Sequence, residues 1–185
     1  MFAGLVLAAG EGRRMGGPKA LLRVDGAPLA LLHAQRFLEA GCAEVVVVTR
    51  PEVVPALPAL PPGAQVLAVR TRSQAESLAA GLRATAANRL LITPVDLLPP
   101  SEATLRVLMD ALQRFGAASP RVADRGGHPV AIHRRWLSTF ERPVPELTLH
   151  EALRAMGAHR ARIDVDDRRV LGDFDRPDAL LDPEV

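Results

Sequence analysis

The residues with the greatest potential for chemistry lie in a glycine-rich segment and at one isolated carboxylate. Residues 10–19 combine several glycines with the cations Arg13, Arg14 and Lys19, and Lys19 is the only lysine of the chain. Glycines allow backbone N–H groups to approach an oligophosphate, and cations neutralise its charge. Asp96 follows an apolar segment and offers the oxygen ligand that Mg²⁺ prefers. Together these residues predict chemistry on a nucleoside triphosphate.

Two better-known phosphate-binding loops fit the glycine segment less well. A P-loop is excluded because Pro18 stands where that motif requires lysine. The dinucleotide motif G-x-G-x-x-G fails by one position, since Gly16 is the first glycine after Gly10 and Gly12. Arg50 could still contact the extra phosphate of NADP. An NADP-dependent reductase therefore remains an alternative at this point.

Alternating apolar and amphipathic segments predict the elements that position these groups. Strands are expected at residues 2–8, 44–49, 66–69, 89–93, 118–122, 129–132 and 160–165. Helices are expected at residues 28–40, 74–87, 101–115 and 149–156, with a short helix after Pro177 and an irregular or broken helical segment at 51–63. This order indicates an α/β fold, a single-domain Rossmann-like, mostly parallel sheet with helices on both faces. Ligands are expected at the carboxyl ends of its strands, where the glycine segment and Asp96 fall.

Composition limits the classes of protein that remain. The chain has 185 residues, 48% hydrophobic and 24% charged, which suits one domain over 1–185. Its net charge of +2 and 3% aromatic content argue against a nucleic-acid partner. The single cysteine, the missing signal peptide and the short apolar runs predict a cytoplasmic protein that does not cross or bind a membrane.

The glycine segment resembles the nucleotidyltransferases that mature molybdenum cofactor. Their signature, L-A-A-G or L-A-G-G followed by R-M-G and a lysine, matches residues 7–10, residues 14–16 and Lys19. Ala9, at a position where guanylyltransferases tend to carry glycine, is closer to the cytidylyltransferase branch. The resemblance implies a nucleotide-diphospho-sugar transferase type of fold, Mg²⁺ as cofactor, and two halves: 1–100 for the nucleotide and 101–185 for the acceptor.

The resemblance also implies individual site residues. The catalytic residues it implies are Arg14, Lys19 and Asp96. The nucleotide-binding residues it implies are Leu7, Ala8, Ala9, Gly10, Gly12, Arg13, Gly16 and Ser77. Asp96 and Asp175 would contact the metal, and His128 would contact the acceptor. Arg13 could instead be a solvated surface residue, Asp175 a helix cap and His128 a turn residue before proline.

The reaction expected from this resemblance is transfer of NMP from an NTP to a phosphorylated acceptor with release of pyrophosphate. CTP with molybdopterin is the favoured pair, and GTP, or a sugar phosphate or other small phospho-acceptor, remains open. The family's usual G-D-x-G-A-R segment is replaced by residues 146–151, a departure from the family pattern in the acceptor half. The resemblance also implies a molybdoenzyme apoprotein as a partner. A non-catalytic nucleotide or cofactor carrier is the further alternative.

Overall fold

A computed structural model describes residues 1–10, 17–141 and 147–171 of the chain. The strands are Phe2–Ala8 (β1), Arg23–Val24 (β2), Ala27–Pro28 (β3), Glu44–Thr49 (β4), Ala64–Ala68 (β5), Arg89–Pro94 (β6), Ala117–Val122 (β7), Arg125–Gly126 (β8), Val130–His133 (β9) and Arg160–Asp164 (β10). The α-helices are Leu29–Glu39 (α1), Gln74–Arg83 (α2), Glu102–Ala111 (α3) and Leu149–Ala155 (α4). Short 3₁₀ helices occupy Lys19–Leu21, Pro51–Ala56, Arg134–Glu141, Gly157–His159 and Arg168–Leu171.

The main sheet has eight strands, with seven in the order β10-β7-β9-β6-β1-β4-β5 and β8 paired with β7. β1 runs parallel to both its neighbours, β4 and β6, and β5 runs parallel to β4. β9 is antiparallel to β6 and to β7, and β10 is parallel to β7. The carboxyl ends of β1, β4, β5, β6, β7 and β10 therefore share one edge. The predicted α/β fold with a mostly parallel sheet is confirmed.

Strand β1 is buried along its whole length because helices cover both faces of the sheet. Val6 packs in one core with residues of α1 and α3, and Leu5 packs in the other with residues of α2. Both side chains are fully buried. This explains why the strand reads as a continuous apolar run and not as an alternating one.

Helix α2 ends at Arg83, which corrects the predicted end at Ala87. The Thr85 hydroxyl donates to the Glu44 carboxylate and accepts a hydrogen bond from the backbone N–H of Ala87 (3.1 Å). These local bonds compete with continuation of the helix. Helix periodicity therefore overestimated its length.

The β2–β3 hairpin was not predicted, although its turn carries a recognisable signal. Asp25 and Gly26 both have positive φ, at 51° and 82°. Asp-Gly is favoured in two-residue hairpin turns because such turns need positive φ at both central positions. The hairpin connects the segment after Lys19 to the start of α1.

Among the helices in residues 1–10, 17–141 and 147–171, none is long and apolar enough to cross a membrane.

Candidate active site

A cleft of about 920 Å³ opens at the carboxyl edge of the sheet, where β1, β4 and β6 end; we call it the edge cleft. Its lining includes Leu7, Ala9, Gly10, Lys19, residues 70–74, Ser77 and residues 94–96. Polar backbone, hydroxyl and charged groups thus converge at the position where open parallel sheets bind ligands.

Lys19 and Asp96 meet inside the edge cleft. The Lys19 ammonium donates to Asp96 Oδ2 at 2.7 Å, across 77 residues of sequence. Their side chains are 18% and 25% exposed, so the pair is partly withdrawn from water while remaining accessible from the cleft. Lys19 begins the 3₁₀ helix Lys19–Leu21, and Asp96 follows the end of β6. The structure therefore brings together two of the three residues predicted to be catalytic.

The loop that carries Asp96 is tied to the sheet on one side and to α1 on the other. The Val95 N–H donates to the Leu7 carbonyl (3.1 Å), and His33 Nε2–H donates to the Leu97 carbonyl (2.8 Å). Burial lowers the pKa of His33 from 6.5 to about 4, despite the opposing effect of the Leu97 hydrogen bond. A neutral imidazole at neutral pH thus holds the backbone next to Asp96 without adding a charge.

The end of β1 presents backbone to the edge cleft. Leu7 and Ala9 line it, whereas Ala8 is buried and accepts a hydrogen bond from the Thr49 hydroxyl (3.4 Å). Gly10 is exposed, and a Cβ placed on it would meet nothing within 4 Å. Packing against the described residues therefore does not require glycine at this position. Gly12, Arg13, Arg14 and Gly16 lie outside the described residues.

Ser77, which the resemblance implies as a nucleotide-binding residue, lines the edge cleft. Its hydroxyl donates to the Ser73 carbonyl (3.1 Å), so it accepts a hydrogen bond from the Thr71 hydroxyl (2.7 Å). Ser73 caps α2 by accepting from the Glu76 N–H (3.1 Å). Thr71, whose hydroxyl contacts Ser77, also lines the edge cleft and was not predicted as a site residue.

Three arginines also line the edge cleft, near the ends of β4 and β5. Arg50 and Arg70 both contact Glu52 Oε1, at 2.8 Å and 3.3 Å, and Arg72 lies close by in sequence. The pKa of Glu52 is lowered by its backbone N–H and by the Arg50 hydrogen bond. Arg70 and Arg72 were not predicted as site residues. The sequence did contain a signal for them: arginines follow β4 and β5 closely, and the carboxyl ends of adjacent parallel strands lie at the same edge of a sheet.

His128, the predicted acceptor contact, precedes β9, and its backbone N–H donates to the Val170 carbonyl (3.0 Å). Burial lowers the pKa of its ring; Asp96 acts in the opposite direction, and Arg160 adds to the decrease. His128 thus lies within electrostatic reach of both residues. Asp175, the other predicted metal contact, lies outside the described residues.

Asp96 is suited to a divalent metal only if the substrate supplies further ligands. In the described ranges, no three His, Cys, Asp or Glu residues cluster closely enough to hold an ion together. Mg²⁺ is commonly bound by one or two carboxylates together with substrate phosphates. A carboxylate facing a cleft lined by backbone groups and cations fits that donor set.

The model of the family described as the MobA-like NTP transferase domain matches residues 4–163. The match includes Lys19, Asp96, His128 and every described wall of the edge cleft.

A segment of the chain is similar to a protein of Opitutus terrae named "Probable molybdenum cofactor guanylyltransferase". The two are 51% identical over 51 residues, or 28% of this chain. The matched segment spans only 25% of that protein's length.

Solved structures match over nearly the whole chain. Rv0371c from Mycobacterium tuberculosis H37Rv has 26% sequence identity and a TM-score of 0.82, with 96% of this chain and 94% of that chain covered. A manganese complex of Rv0371c has a TM-score of 0.79 at 24% identity, with 96% and 95% coverage.

Proposed function

The chain belongs to the MobA-like NTP transferase family, and we propose that it transfers a nucleoside monophosphate from an NTP to a phosphorylated small molecule, releasing pyrophosphate. The observation that carries this proposal is the 2.7 Å pair of Lys19 and Asp96 in the edge cleft. The Lys19 ammonium can contact phosphate oxygens, and the Asp96 carboxylate can bind the divalent cation that accompanies a nucleoside triphosphate.

Residues of this chain would act on the triphosphate by positioning it and neutralising its charge. The backbone at Leu7, Ala9 and Gly10 lines the site for base and ribose, and the Lys19 ammonium stabilises charge that develops on the phosphate oxygens. The predicted phosphate contact of Arg14 belongs to the same proposal. The acceptor phosphate is already ionised near neutral pH, so its attack on the α-phosphorus needs no strong general base.

A bound divalent ion, for which we propose Mg²⁺, would neutralise phosphate charge when present, and Asp96 is the residue that would hold it. The manganese complex of Rv0371c supports a divalent ion as a test ligand. Asp175 is proposed as a second contact.

For the substrates we propose CTP and molybdopterin, with residues 1–100 binding the nucleotide and residues 101–185 the acceptor. CTP is supported by Ala9 in the resemblance to the cytidylyltransferase branch. GTP is the second candidate because the segment of 51% identity belongs to a protein named as a guanylyltransferase. A molybdoenzyme apoprotein would be the recipient of the product.

The test is release of pyrophosphate from CTP, GTP, ATP and UTP, each with Mg²⁺ and molybdopterin. We expect one triphosphate to be preferred and turnover to be lost in Lys19→Ala and Asp96→Ala. Asp110→Asn removes an exposed carboxylate on α3 and is the matched control, which should keep full activity. Equal turnover by Asp96→Ala and wild type would overturn the proposed site.

The two alternatives predict different results in the same assays. A reductase would bind NADPH tightly without metal and release no pyrophosphate. A carrier would bind a nucleotide or the cofactor without turnover, and its binding would not require both Lys19 and Asp96.

A further inference from the structure

A second group of polar side chains lies on the part of the sheet formed by β7, β9 and β10. Ser119, His128 and Arg160 form what we call the acceptor-side cluster. Arg160 Nη2 donates to the Ser119 hydroxyl at 3.1 Å, and Ser119 is 1% exposed. None of the three has a place in the nucleotide chemistry described above.

Strand register explains why these residues meet. Ser119 of β7 pairs with Arg162 of β10, and Ala117 pairs with Arg160, so Ser119 and Arg160 lie on the same face. Ala117 also pairs with Ile132 of β9. Ala117 and Ile132 pack in the core that includes Leu153 of α4. Ser119 and Arg160 are therefore on the α2 and α4 side of the sheet.

Arg160 differs from Arg121, an arginine on the adjoining strand. Arg121 uses Nε and Nη2 to bind both oxygens of Asp164, at 2.7 Å and 2.8 Å. Arg160 directs Nη2 to a neutral hydroxyl, and its buried Nε has no hydrogen-bond partner in the part of the chain that the structure describes. No carboxylate among the described residues forms an ion pair with Arg160. One edge of its guanidinium thus lacks the bidentate anion that its neighbour has.

Burial makes this missing anion significant. Arg160 is only partly exposed, and burial, followed by the charge of Arg162, lowers its pKa. Partly buried charges are ordinarily paired because desolvation disfavours an isolated ion. A guanidinium in this state is suited to an anion with two adjacent oxygens, and phosphate has that geometry.

His128 connects this cluster to the edge cleft. Its Nδ1 is buried without a hydrogen-bond partner among the described residues, and the charges of both Asp96 and Arg160 act on its ring. His128 is thus the member of the cluster that is within electrostatic reach of both Arg160 and the carboxylate of the proposed nucleotide site.

We propose that Arg160, assisted by Ser119 and His128, binds an anionic group of the acceptor, and that the class of ligand is a phosphate monoester. The proposal rests on the proposed function, because the acceptor phosphate is its expected occupant. Arg160 would be an acceptor-binding residue that determines KM for the acceptor and leaves KM for the nucleotide unchanged.

A binding experiment tests the site without requiring turnover. Inorganic phosphate is titrated into the protein while the His128 ring signal, assigned with His128→Gln, is followed by NMR. We expect the signal to shift in wild type and in Lys19→Ala, which separates this site from the edge cleft. The shift should be lost in Arg160→Met and retained in Arg114→Met, a control that removes an exposed arginine outside the acceptor-side cluster. If phosphate leaves the wild-type signal unchanged, the proposal is wrong.

Kinetics then test whether the anion site serves the acceptor. Arg160→Met should raise KM for the acceptor about tenfold or more, the range for a lost charged hydrogen bond, with KM for the nucleotide unchanged. Arg160→Lys should recover part of the loss, and Ser119→Ala provides a smaller effect if Arg160→Met fails to fold. A rise confined to the nucleotide KM would overturn the assignment. Phosphate binding without turnover by any acceptor would contradict the proposed function and leave the anion site standing.

Discussion

The edge cleft and the acceptor-side cluster hold their charges in different ways. Lys19 and Asp96 pair at 2.7 Å, and Arg50 and Arg70 share Glu52, so three cations of the edge cleft have carboxylate partners within the protein. Arg160 has only the Ser119 hydroxyl, and the His128 ring has no hydrogen bond within the described residues. Lys19 and Asp96 can pair with each other in the absence of a ligand, because a phosphate can replace Asp96 at Lys19 and a metal ion can replace Lys19 at Asp96. A site left unpaired depends on its ligand for the missing charge.

The largest effect that would sharpen this comparison is expected from Lys19→Met. Loss of a group that stabilises charge in the transition state costs about 100- to 1000-fold in kcat, whereas a partly exposed pair contributes at most ~1 kcal/mol to folding. We expect activity to collapse with the melting temperature nearly unchanged. Steady-state kinetics and calorimetry on the same samples measure both. A large loss of stability would mean that the pair is mainly structural.

Each region has a buried histidine that should make the stability of the fold sensitive to acid. His33 supports the loop that carries Asp96, and His128 belongs to the acceptor-side cluster. The folded pKa of His33, about 4, lies below its ordinary 6.5 because of burial, so the folded protein resists protonation there. Its contribution to stability is complete above pH 6.5 and is lost as the pH falls toward 4, amounting to about 3 kcal/mol. His128 has the same direction of shift.

Urea unfolding at several pH values checks this contribution. His33→Gln should flatten the fall in the free energy of unfolding between pH 6.5 and 4, and should leave the His128 contribution in place. His150→Gln removes an exposed histidine and is the control variant, in which we expect the fall in the free energy of unfolding to persist. An unchanged pH profile in His33→Gln would contradict the assignment of this acid sensitivity to His33.

A smaller effect is expected from Gly10→Ala. A Cβ at this position meets nothing within 4 Å among the described residues, so stability should hold, while an approaching nucleotide should clash. We expect about tenfold weaker nucleotide binding, measured by calorimetric titration. Gly126→Ala also adds a Cβ in open space, in β8, and should bind nucleotide normally. Equal affinity in both variants would show that the ligand does not approach Gly10 closely.

The smallest effect should come from Glu52→Gln. Removing this carboxylate leaves the charges of Arg50 and Arg70 less screened at the rim of the edge cleft. Nucleotide affinity should rise about two- to threefold at low salt and return to the wild-type value at high salt. Binding titrations at two ionic strengths measure the difference. A gain that persists at high salt would point to a direct contact and not to a screened charge.

Sequence patterns predicted the strands of the sheet better than the ends of its helices. The apolar runs of β1 and β4 leave few alternatives, and both strands have the predicted bounds. The end of α2 depends on Thr85, whose hydroxyl finds a partner in Glu44, 41 residues away. Periodicity within a segment carries no information about such a partner. The Asp25-Gly26 turn, by contrast, had a local signal that could have been used.

The sequence by itself determined the fold class, the family signature and the candidates Lys19 and Asp96, because each depends on residue types in a short segment. Only the tertiary structure decided that these two groups meet and that Arg160 lies beside Ser119, 41 residues earlier, with no ion pair to a carboxylate of the described residues. The physical reason is the sheet. Parallel strands bring distant carboxyl ends to one edge, and their register, which no single segment encodes, selects the side chains that face each other.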